Sequence, residues 1–74
     1  MPILSKYTNE EVEKIIAELL SVLEKNEAST DLALMCLGNT VSNIINNDVT
    51  PKARRKLAEN FAAALAASIQ DTQQ

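Results

Sequence analysis

Histidine and tryptophan are absent from this 74-residue chain, and cysteine occurs once, at Cys36. A single cysteine excludes an intramolecular disulfide, and without histidine almost no ligand set remains for a structural zinc site. At this length one core contributes about 3–5 kcal/mol of net stability, so small domains usually need a disulfide, a metal or a partner. Oligomerisation is therefore the expected source of stability.

Aromatic residues and glycine are also scarce, since Tyr7, Phe61 and Gly38 are the only examples. The apolar content is mostly alanine, leucine and isoleucine, which favours helices packed closely on helices. No stretch approaches the roughly 20 apolar residues that span a bilayer. The N-terminus has no apolar segment typical of a secretory signal. We therefore expect one soluble domain in the reducing cytoplasm, without a membrane contact.

The net charge of −3 is unevenly distributed along the chain. Residues 1–31 contain seven acids and three bases, whereas residues 49–74 contain four bases and two acids. Complementarity between helices explains this asymmetry as well as an external ligand does.

The first helix is predicted for residues 9–26, after an arm of residues 1–7. Thr8 and Glu11 have the spacing of a capping box, in which each side chain accepts a hydrogen bond from the other residue's backbone N–H. Tyr7 and Val12 occupy the positions of a hydrophobic staple. The apolar residues fill one arc of about 160° on a helical wheel. They are Val12, Ile15, Ile16, Leu19, Leu20, Val22 and Leu23.

The second helix is predicted for residues 31–46, with Ser29, Thr30 or Asp31 as its cap. Its first half is apolar on two sides, and a helix that is apolar all round is buried on several sides. We therefore expect the other two helices to cover it, and the sequence leaves open whether they can do so alone. Gly38 lies on an apolar side, where the missing side chain lets another backbone approach.

The third helix is predicted for residues 51–69, followed by a tail of residues 70–74. Thr50 is the expected cap, and Pro51 suits the first helical position because its missing N–H is harmless there. Large apolar residues repeat every four positions, which suits helices that cross at an angle. These residues are Leu57, Phe61, Leu65 and Ile69.

No residue pattern predicts a catalytic, cofactor-binding or metal site. Cys36 would need a base or a positive neighbourhood to act as a nucleophile or redox sensor. Its helical neighbours are apolar, so we interpret it as a buried, inert thiol. Glu10, Glu11 and Glu13 favour a helix N-terminus electrostatically, and nothing builds the concave site that paired catalytic carboxylates need. A non-enzyme is expected.

One basic cluster, at Lys52, Arg54, Arg55 and Lys56, raises the alternative of a nucleic-acid-binding accessory protein. A helix that binds nucleic acid lines its basic residues along one face. These four point in different directions around the helix axis, and no aromatic residue alternates with them. We interpret the cluster as a solvated turn, partly paired with acids of the first helix.

Eight segments in chain order together resemble a known family. They are Ser5-Lys6-Tyr7, Val22-Leu23-Glu24-Lys25, Thr30-Asp31-Leu32, Leu34-Met35, Gly38-Asn39, Phe61-Ala62, Ala64-Leu65 and Ser68. The family is YejL, small uncharacterised proteins of gammaproteobacteria, and it offers no catalytic or ligand-binding motif to transfer. The resemblance implies an all-α fold in which two three-helix subunits intertwine as a homodimer. Asn26 and Ser29 depart from the family pattern, in which a histidine and a proline are expected.

The combined prediction is an all-α, intertwined homodimer with a structural or protein-interaction role and no cofactor. The expected dimer interface consists of Leu32, Met35, Cys36, Leu37, Gly38, Val41, Phe61 and Leu65. The sequence leaves open the pathway, any further protein partner and the role of the basic cluster. It also leaves open whether the N-terminal arm docks on its own subunit or on the other.

Overall fold

The computed structural model describes residues 7–70, and in that range it contains three α-helices and no strand. Helix α1 is Asn9–Lys25, α2 is Thr30–Asp48 and α3 is Pro51–Ser68. The all-α prediction is therefore confirmed. Most of the predicted arm and tail, residues 1–6 and 71–74, lies outside the described residues. The chain divides within α2 into two units, Met1–Met35 and Cys36–Gln74.

The start of α1 is closed by its own side chains, as the capping-box spacing predicted. The Glu11 backbone N–H donates to the Thr8 hydroxyl oxygen at 3.0 Å, and the Thr8 N–H donates to the Glu11 carboxylate at 3.2 Å. Tyr7 and Val12, the two staple residues, line one shallow recess on the surface of this unit. These contacts satisfy backbone donors that a helix N-terminus otherwise leaves without partners.

The end of α1 is a Schellman-type turn with glutamate where glycine is usual. The Ala28 N–H donates to the Leu23 carbonyl at 3.0 Å, and the Glu27 N–H donates to the Glu24 carbonyl at 2.9 Å. Glu27 has a φ of 54°, in the left-handed region that glycine adopts more easily. The side-chain amide of Asn26 adds a hydrogen bond to the Val22 carbonyl at 2.7 Å. Asn26, where the resemblance predicted a histidine, therefore helps to close this helix.

Ser29, where the resemblance predicted a proline, is the residue that caps α2. Its hydroxyl oxygen accepts a hydrogen bond from the Leu32 N–H at 3.2 Å. Helix α2 then continues to Asp48, two residues beyond the predicted end at residue 46. The polar residues at the end of the helix favour local turns, but α3 supplies donors to the last carbonyls, as described below.

Helix α3 begins at Pro51 after Thr50, as predicted, but the cap differs in detail. The Thr50 side chain makes no capping hydrogen bond, and the Thr50 backbone carbonyl accepts from the Ala53 N–H at 3.0 Å. The helix ends at Ser68, and Ile69 is extended.

No described residue is buried in the single chain, and eight are half-buried. Along α2 the half-buried residues recur every four positions. The eight are Leu23, Ala28, Ala33, Leu37, Val41, Ile45, Val49 and Arg54. The first half of α2, however, leaves Leu32, Leu34 and Met35 exposed. In the isolated chain these three apolar side chains are therefore left uncovered.

Candidate interaction surface

The predicted dimer interface is open to solvent in the single chain. Among its eight residues only Leu37 and Val41 are half-buried, whereas the other six are exposed. Met35 exposes 62% of its surface. These residues are accessible to another chain, and the interface itself stays a prediction.

Cys36 does not occupy the buried position expected for it, because its side of α2 is exposed. It lies nine residues before the half-buried Ile45, which places the two on opposite sides of the helix at about 100° per residue. The half-buried side of α2 is therefore the side of Ile45, opposite Cys36. The prediction of a buried thiol is wrong for the single chain.

The space beside Gly38 is open in the single chain. A Cβ atom placed on Gly38 would meet nothing within 4 Å, apart from the helix's own backbone. The close backbone approach that we predicted at this glycine is therefore not made within the chain.

The apolar stripe of α1 is the longest exposed apolar feature of the first unit. We define the α1 stripe as Val12, Ile15, Ile16, Leu19, Leu20 and Val22. Each of these side chains exposes between 43% and 57% of its surface. A surface helix normally packs such a stripe on a core, so this surface is suited to contact with another apolar surface.

Arg54 is set apart from the rest of the basic cluster by its contacts. Its Nε donates to the Val49 carbonyl at 2.9 Å, and its Nη2 donates to the Asn46 carbonyl at 2.8 Å. These bonds cap the C-terminus of α2 with a positive charge, which the helix dipole favours. Arg54 is half-buried, so the interpretation of the cluster as a solvated turn is wrong at this position. The other three members, at 52, 55 and 56, are exposed.

A groove lies within the second unit, between the end of α2 and the first half of α3. We call it the α2–α3 groove; its volume is about 480 Å³. Its lining includes Ser42, Ile45 and Asn46 from α2, and Arg55, Ala58 and Ala62 from α3. Sequence reasoning missed this groove. The available signal was the pair of alanines four residues apart, which share one face of a helix.

The described residues contain no helix that is both long and apolar enough to cross a membrane. Within the same residues, no three acidic or cysteine side chains form a group that could hold a metal ion.

A comparison with known families matches residues 26–69 to a family described as "Protein of unknown function (DUF1414)". The match begins at the C-terminal cap of α1 and includes all of α2 and α3. It covers more than half of the chain, whereas α1 lies outside it. The chain therefore belongs to the DUF1414 family of proteins of unknown function.

Proposed function

We propose that the protein is a non-enzymatic homodimer that acts in the cytoplasm through contacts with other proteins. The observation that carries this proposal is that no residue between 7 and 70 is buried in the single chain. A folded domain must remove apolar surface from water to offset the loss of conformational entropy. A second copy of the chain is the partner that is available wherever the first is made.

The exposed apolar residues are numerous enough to stabilise such a dimer. Fifteen large apolar side chains in the described range are exposed, most of them by about half of their surface. Full burial of such a side chain contributes about 1.5–3 kcal/mol, so burying the remaining half contributes about 1 kcal/mol each. Summed over the fifteen side chains, this contribution corresponds to about 600 Å² of apolar area per copy at 25 cal/mol per Å². With a polar share of about 40%, two copies bury about 2,000 Å², the lower limit for obligate dimers.

Two further features support the assembly and its location. The resemblance to the YejL family implies an intertwined homodimer, and within DUF1414 we place the chain as a YejL-like protein. The exposed, unpaired Cys36 suits a compartment in which thiols stay reduced. Both features agree with a cytoplasmic dimer.

Nucleic-acid binding, the alternative raised by the basic cluster, receives less support. Arg54 is occupied in capping α2. The three exposed cations that remain, at 52, 55 and 56, share one face of α3 within about one turn, and no aromatic residue alternates with them. A low-salt gel-shift assay tests this alternative, with Lys52→Ala/Arg55→Ala as the control because these changes leave the cap intact. We expect no shift with short duplex DNA or RNA. A shift that weakens steeply with salt and is lost in the control would favour the alternative.

Sedimentation equilibrium at micromolar concentration tests the homodimer directly. We expect a mass of about twice the 8.1 kDa of the chain. Met35→Glu should remove the dimer, because it would bury an unpaired charge at a cost of several kcal/mol. Asn47→Glu, at an exposed position of the same helix, is the control and should leave the mass unchanged. A wild-type mass near 8 kDa would reject the proposal.

A further inference from the structure

We draw no further inference here: the strongest candidate, the α2–α3 groove, has both Arg55 and Glu59 in its lining, and nothing in the part of the chain that the structure describes shows what covers it.

Discussion

Helices α1 and α3 both present an exposed apolar stripe, yet their starts are made in different ways. Helix α1 is closed by Thr8 and Glu11 and needs nothing from outside its first turn. Helix α3 begins after Thr50, whose side chain makes no cap, and its first turn instead provides Arg54 to the end of α2. The start of α1 is therefore capped by its own residues, whereas the start of α3 is hydrogen-bonded to the end of α2.

The exposure of the two stripes reflects this difference. On α3 the exposed fraction rises steadily from 41% at Leu57 to 53% at Leu65, with distance from the Arg54 contact, and it reaches 63% at Ile69 just after the helix. Along α1 the exposure is comparable throughout, and it shows no such trend. The comparison indicates that α3 is held at one end and serves as a wall of the groove. Helix α1 keeps its whole stripe available for another surface.

The largest expected effect comes from weakening the hydrogen bonds that Arg54 of α3 makes at the end of α2. Arg54→Lys replaces a planar guanidinium, which reaches two carbonyls at once, by a single ammonium group. Since hydrogen bonds to charged groups contribute about 1.5–3 kcal/mol each, we expect the free energy of unfolding to fall by about 2 kcal/mol. Urea denaturation measures this change. Hydrogen exchange at the Val49 amide should also accelerate, because that amide closes the last turn of α2.

Arg55→Lys is the matched control for this prediction, since Arg55 is exposed and holds no carbonyl among the described residues. Equal losses of stability in the two variants would show that the Arg54 cap contributes nothing specific.

A pair of threonine substitutions sharpens the comparison of the two helix starts. Thr8→Ala removes a side-chain cap and should lower the free energy of unfolding by about 1 kcal/mol. Thr50→Ala removes a side chain that makes no such bond, so its cost should be clearly smaller. Thermal or urea unfolding of both variants measures the difference. A larger loss for Thr50→Ala would contradict the assignment of the caps.

The smallest expected effect is a gain of stability at the end of α1. Glu27 adopts a left-handed conformation that costs an L-residue about 1–2 kcal/mol, which glycine avoids. Part of this gain is lost to the greater entropy of glycine in the unfolded chain, so Glu27→Gly should stabilise by about 0.5 kcal/mol.

Glu24→Gly provides the opposite control, because it places glycine inside the helix and should destabilise by about 1 kcal/mol. A loss of stability in Glu27→Gly would mean that the glutamate side chain makes a contribution that its backbone conformation does not reveal.

Most of the secondary structure could be predicted from the sequence. Less of the candidate interaction surface could be predicted from it. The all-α class followed from periodic apolar residues, and the capping box followed from the spacing of Thr8 and Glu11. Cys36 is exposed in the single chain although we predicted a buried thiol, because a helical wheel shows which residues are apolar but not which of them the chain covers. The groove was missed, since it depends on where α3 passes α2 and not on any residue type.

The sequence by itself determined the number of helices and the start of α1, because these depend on hydrogen bonds and apolar spacing within one or two turns. The tertiary structure decided where α2 ends, since Arg54 reaches carbonyls five and eight residues before it. It also decided that fifteen large apolar side chains among residues 7–70 stay exposed in the single chain. A pattern of residues records which surfaces are apolar, but only the positions of the helices decide which of those surfaces are covered.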